Sequence, residues 1–217
     1  MGQRIMIVGN GHVPEGAAAR IDAADLVIRF NECRNFGAAG SRTDVVAVCN
    51  TGRPARAMLS GAWRDSPAVR ACSEIWSVRD PDKFGELRQA LLVSHPELDD
   101  FCDDSTAGFA AVAAARDKRH RVLSRDVHEA VEHALLAHEP KPYVVPSSGL
   151  IVVAQVLADV LADPGRDRDQ IFLAGFSHQG WDGHPFAAER QMIEAHVASG
   201  KLVRLNPDTA SFLSQGA

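Results

Sequence analysis

Arg4-Ile5-Met6-Ile7-Val8-Gly9-Asn10-Gly11 reads as a short buried strand that runs into a glycine-bearing turn, followed by an alanine-rich stretch at 16–24 suited to a helix. A continuous apolar run, rather than strict alternation, marks a strand covered on both faces, the usual setting of a parallel sheet. The same signature returns in Ala24–Phe30, Asp44–Cys49, Glu74–Val78 and Ile171–Phe176, with a last strand at Lys201–Leu205. Helical patterns fall near 54–72, 82–102 and 106–138, from Ser147 to about Ala162, and over 185–199. Within the third of these, Val127, Ala130, Val131, Ala134 and Leu135 share one face of an amphipathic helix. Strand alternating with helix predicts an α/β fold: a Rossmann-like, doubly wound, mostly parallel sheet with helices on both faces.

The length of 217 residues suits one domain spanning 1–217. Hydrophobic residues at 46% and charged residues at 24% are globular proportions, which exclude a disordered or fibrous chain. A net charge of −5 argues against a nucleic-acid partner. No apolar run approaches the roughly 20 residues that span a bilayer. The N-terminal residues enter a strand directly, so no signal peptide is expected. Cys33, Cys49, Cys72 and Cys102 form no CxxC pair, and the reading is a cytoplasmic, reducing location. The basic residues are mostly arginine, which reflects either codon composition or a use in clamping anions with a planar fork.

Four stretches can carry chemistry. Val8-Gly9-Asn10-Gly11 follows the first strand, where a glycine turn lets backbone amides approach a phosphate. The next glycine is Gly16 and Pro14 intervenes, so the dinucleotide fingerprint GxGxxG is absent. Arg29-Phe30-Asn31 ends the second strand. There Asn31 is either a turn former or, with Asn10, part of a grip on one phosphate. Pro146-Ser147-Ser148-Gly149 opens the long apolar helix, as an ordinary N-cap or as an anion site at a helix N-terminus. Lastly, the loop after the 171–176 strand holds His178, Trp181, Asp182 and His184, with Glu189 five residues further on. Histidine there suits acid–base work. A zinc or nickel site from His178, Asp182 and His184 is the rival, although its spacing matches no standard set. His120, His128, His133 and His138 fall in a charged helical stretch and read as a solvated face rather than a nickel store.

Together these stretches resemble the sialyltransferases of glycosyltransferase family 29. The family's long motif is similar to Val8-Gly9-Asn10, Ile21-Asp22, Val27–Asn31 and the Gly37–Arg42-Thr43-Asp44 segment. Its short motif is similar to Pro146–Leu150 followed by the Phe172–Phe176 strand, and its very short motif, His-x4-Glu, to His184 and Glu189. His178, or Trp181-Asp182, falls where the family has a small His-aromatic-acidic motif. The matches cover roughly residues 5–50 and 143–190 and leave the middle unassigned.

The resemblance implies an inverting, metal-independent transfer of a sialic acid-like or Kdo-like sugar from a CMP-activated donor to a glycan acceptor, with no cofactor. It implies that Asn10, Gly11 and Asn31 meet the phosphate and nearby groups, and that Ser147, Ser148 and Gly149 bind ribose or carboxylate. His184 would be the base and Glu189 its support, while His178 would help neutralise the departing CMP. No cysteine stands where the eukaryotic family links its long and short motifs. Short bacterial chains of this kind also carry the label urease operon accessory protein. The alternative is therefore a non-catalytic accessory protein that binds a nucleotide or a metal.

Overall fold

A computed structural model describes residues 2–205. The strands are β1 (Arg4–Val8), β2 (Leu26–Phe30), β3 (Val45–Val48), β4 (Glu74–Ser77), β5 (Arg119–Val122), β6 (Gln170–Ala174) and β7 (Val203–Arg204). They form one sheet in the order β5-β4-β3-β2-β1-β6-β7, and every pairing is parallel. Between them run α1 (Ala18–Asp22), α2 (Gly52–Ser60), α3 (Pro67–Ala71), α4 (Pro81–Ser94), α5 (Thr106–Ala114), α6 (Arg125–Leu136), α7 (Ser148–Leu161) and α8 (Phe186–Ala198). The chain winds outward from β1 to β5, then returns past β1 to lay down β6 and β7. Strand order therefore reverses between β1 and β6, and at such a switch point a crevice opens beyond the carboxyl ends of the strands.

The two-residue period of the strands divides the core between the sheet faces. Ile5, Ile7, Ile28, Phe30, Val45, Ala47, Trp76 and Val78 point to one face and pack under α6, α7 and α8. On the other face Val46, Val48 and Ile75 meet α2, α3 and α5. Met6, Val8, Val27, Phe172 and Ala174 meet Ile21 of α1. With both faces covered, the strands read as unbroken apolar runs, the pattern seen in the sequence.

One crossover carries no helix. The β2–β3 connection is an irregular loop, and Arg29 of β2, 1% exposed, fills the space beneath it. Its Nε donates to the Arg42 carbonyl and to Thr43 Oγ1, both at 3.1 Å. Its Nη2 donates to the carbonyls of Ala39 and Gly40, both at 2.9 Å. The guanidinium thus satisfies loop carbonyls that a helix would have satisfied internally.

Three expectations need correction. The stretch 106–138 is not continuous helix, because β5 lies between α5 and α6 at the open edge of the sheet. Its sequence, Arg-His-Arg-Val, is half-exposed and has no apolar run to betray a strand. The stretch 54–72 breaks at Gly61, which is extended, and restarts at Ser66-Pro67, where Ser66 Oγ caps Val69. The stretch 82–102 ends at Ser94, because the residue before Pro96 disfavours helical backbone.

Nor do the four histidines share a solvated face. His120 lies in β5, where Nε2 is 2.9 Å from Ser77 Oγ. His128 is 1% exposed and its Nε2 donates to the Val78 carbonyl at 2.8 Å. The apolar stripe of α6 is drawn by Val127, His128, Val131 and Leu135, while Ala130 faces out.

Candidate active site

A cleft of about 610 Å³ opens at the carboxyl edge of the sheet. Its floor is the crossing of two glycine turns, one after β1 and one after β6. Gly9 N–H donates to Ala174 O at 2.8 Å and Gly11 N–H to Gly175 O at 2.9 Å. A Cβ on Gly9 would stand 2.4 Å from the Gly175 carbonyl oxygen, and Gly175 adopts φ +70. These glycines serve the approach of the two turns to each other, and the Gly11 amide is already spent there.

The nine residues to which the resemblance assigns roles all line this cleft: Asn10, Gly11, Asn31, Ser147, Ser148, Gly149, His178, His184 and Glu189; Trp181 joins them, and Asp182 does not. Asn10 stitches β1 to β2, donating from Nδ2 to Phe30 O at 3.2 Å and accepting from Arg34 N at 3.0 Å. Asn31, at φ +51, accepts from Cys49 N at 2.8 Å through Oδ1. That bond fixes the amide orientation and leaves Nδ2, among the described residues, as a donor without a partner. Asn35 escaped the sequence reading. Its Nδ2 donates to the carbonyls of Gly9 and Gly11 at 2.7 and 2.8 Å and holds the turn shut.

Ser147 caps α7, accepting from Leu150 N at 3.2 Å. Glu189, 2% exposed, accepts from Ser147 N at 2.7 Å and from Ser147 Oγ at 2.6 Å. Burial pushes the Glu189 carboxyl up, opposed by these two bonds and by Arg79. Its carboxylate therefore reaches the start of α7, and any support for His184 passes through that segment. Glu189→Ala leaves the Ser147 amide without a partner. A loss of about 1–3 kcal/mol in urea unfolding is expected, and less for Glu189→Gln, whose carbonyl keeps one bond. An unchanged urea midpoint for the alanine variant would contradict this account.

The two histidines of the 177–185 loop are held as the same Nδ1–H tautomer, but through opposite ring nitrogens. His184 Nδ1 lies 2.8 Å from the Val145 carbonyl, which only accepts, so the proton sits on Nδ1 and Nε2 is left as a base. Arg204 Nη2, which only donates, lies 3.0 Å from His178 Nε2, so the His178 proton sits on Nδ1. Glu194 secures Arg204 at 2.8 Å. Burial lowers His184 to about 4, with Arg79 adding to it. Burial lowers His178 to about 4 as well, with Arg204 and Arg190 adding. Both are neutral at pH 7, so His178 can offer a departing phosphate a hydrogen bond rather than a charge.

His128 is likewise lowered to about 4, by burial first and then by Arg79. In the unfolded chain all three titrate near 6.5, so between pH 6.5 and 4 the unfolded state binds more protons. Their contribution is fully present above about pH 6.5 and falls away as pH drops to 4. The raised Glu189 acts oppositely but alone. The melting temperature is expected to decline steadily over that window, and a flat profile would refute the buried neutral imidazoles.

Residues of the unassigned middle also line the cleft, among them Thr51, Arg53, Arg79, Asp100 and Phe101. Asn50 accepts from Arg79 N at 2.7 Å and returns a bond from Nδ2 to Arg79 O at 2.9 Å, fixing the end of β4. Phe101 lies 5.5 Å from Trp181, whose ring meets His184 edge-on at 4.9 Å. Trp181 can lie there because Gly183 has no Cβ to collide with its ring. Among the described residues, no three His, Cys, Asp or Glu side chains gather as a metal set, so His178, Asp182 and His184 do not form one. No helix among these residues is long and apolar enough to cross a membrane.

An all-parallel sheet with this cleft at its switch point is the fold of the sialyltransferases. A mammalian sialyltransferase superposes with a TM-score of 0.54 at 15% identity, covering 94% of this chain and 69% of that one. The sialyltransferase CstII from Campylobacter jejuni, in complex with the substrate analogue CMP-3FNeuAc, superposes at 0.51 and 13% identity, covering 94% and 81%. No protein-family model matches the chain. By sequence it belongs to the family of the urease operon 23 kDa accessory protein of Rhizobium meliloti, which is 55% identical over 217 residues, 100% of this chain and 99% of that one.

Proposed function

We propose that this chain is an inverting, metal-independent glycosyltransferase that moves a sialic acid-like or Kdo-like sugar from a CMP-activated donor to a glycan acceptor. The observation that carries the reading is the fixed tautomer of His184, which leaves a bare Nε2 in the same cleft as Asn31 and the N-terminus of α7. In this reaction His184 Nε2 takes the proton of the acceptor hydroxyl, and the acceptor oxygen attacks the anomeric carbon opposite the phosphate. The anomeric C–O bond then breaks, and its electron pair leaves on CMP. Side chains and backbone amides around the leaving phosphate supply the electrostatic stabilisation. An anionic donor beside His184 also lifts its lowered pKa toward the working range.

Thermal unfolding with CMP, against UMP and NAD, tests the nucleotide site. At about 100 times its dissociation constant CMP adds roughly 2.7 kcal/mol, which raises the melting temperature by roughly 5–10 °C in a chain of this size. A CMP-selective rise followed by turnover of a CMP-sugar is the expected result. A second reading, a non-catalytic accessory protein, is favoured by the name of the Rhizobium relative. Sub-micromolar nickel or zinc binding with no response to CMP would select it.

A further inference from the structure

Arg79 lies just beyond β4 and is 2% exposed, yet it lines the cleft. Its side chain makes one hydrogen bond among the described residues, from Nη1 to the Pro146 carbonyl at 3.1 Å. The guanidinium lies 4.8 Å from the Phe84 ring centroid, and its Nε is buried without a partner. None of the ion pairs among the described residues involves Arg79, and the nearby carboxylate of Glu189 spends both oxygens on Ser147. A guanidinium cannot shed its proton to escape burial, and a buried charge without a counter-ion is costly. Among the described residues the Pro146 carbonyl, the Phe84 ring and the charge of Glu189 meet that cost in part, and no salt bridge offsets the rest.

What surrounds Arg79 suggests what does. Its bond to Pro146 sets it against the first turn of α7, a helix of 14 residues. The Ser147 amide is taken by Glu189 and the Leu150 amide by Ser147 Oγ, whereas those of Ser148 and Gly149 have no acceptor among the described residues. Free amides at a helix N-terminus favour an anion, and here a buried, unpaired cation stands beside them.

We propose that Arg79, together with the Ser148 and Gly149 amides, forms an oxyanion subsite that binds a phosphate or carboxylate oxygen of the activated donor. The inference rests on the transferase reading and adds to it the cation set against the donor's charge. Phosphate and sugar-acid carboxylate share this chemistry, and the choice of ligand separates them.

Calorimetric titration of the wild type, Arg79→Gln and Arg79→Lys with cytidine, CMP and CMP-3FNeuAc is the test, with far-ultraviolet dichroism to confirm folding. If the subsite holds the phosphate, Arg79→Gln weakens CMP about 10- to 100-fold and leaves cytidine unchanged. If it holds the carboxylate, CMP is unchanged and CMP-3FNeuAc weakens by that factor. Arg79→Lys, which keeps a charge and loses the fork, should fall between and gives the answer if the glutamine variant does not fold. Affinities for CMP and CMP-3FNeuAc within threefold of wild type in the folded variants would overturn the proposal and leave the transferase reading standing. A wild type that binds neither ligand removes the transferase reading. Titration with inorganic phosphate then decides the subsite: Arg79-dependent binding upholds it, and no binding overturns it too.

Discussion

His184→Ala is expected to lower CMP-sugar transfer by roughly 10²- to 10⁴-fold, the usual contribution of a positioned general base. CMP binding should change little, because the neutral imidazole reaches the chain through the Val145 carbonyl rather than through the α7 amides. The separation is the informative part, since a variant that lost both would have damaged the 177–185 loop as a whole. The pH profile gives a second reading of the same residue. In the empty cleft His184 is lowered to about 4 by burial, so kcat/KM should rise with pH through about 4 and run level through neutrality. The acid limb of kcat should lie higher, because a bound anionic donor favours the imidazolium. A transfer rate in His184→Ala equal to wild type would end the base assignment.

Arg29→Met is expected to cost about 3–5 kcal/mol of stability, because several buried acceptors lose their donor at about 1–3 kcal/mol for each one left unsatisfied. Methionine fills much of the volume but leaves the carbonyls of Ala39, Gly40 and Arg42 facing an apolar side chain. For a chain of this size the melting temperature should drop by roughly 6–20 °C. The loop that Arg29 holds contains Asn35, and Asn35 closes the Gly9–Gly11 turn. Nucleotide affinity should therefore weaken along with stability. A variant that melts within about 2 °C of wild type would show that the loop holds its own carbonyls by other means.

The features legible in the sequence are those written locally. β1 and β6 are apolar runs that stop at glycine, and Ser147-Ser148-Gly149 precedes an unbroken apolar helix. Such signals survive without knowledge of the partner strand. β5 was not legible, because an edge strand of arginine and histidine buries too little to show a pattern. Arg79 and Asn35 were missed for another reason. One matters through burial against Pro146 and Phe84, the other through two carbonyls more than 20 residues earlier in the chain. His128 shows the converse error, since helical spacing cannot say that an imidazole will meet the Val78 carbonyl in the core.

The central strand pair has a further consequence. β1 finds its partner β6 across most of the chain, with Arg4 opposite Gln170 and Val8 opposite Ala174. A pairing across so long a loop carries a larger closure entropy than a local one, which slows its formation. During synthesis the segment carrying Asn10 emerges first and waits for the segments carrying Ser147 and His178, while β1 through β5 can already zip together along one side. That half-sheet would expose the bare edge of β1, an open template for another chain. Under the proposed function, a nucleotide that needs both halves of the cleft would bind only after this edge is covered and would oppose reopening of the β1–β6 seam.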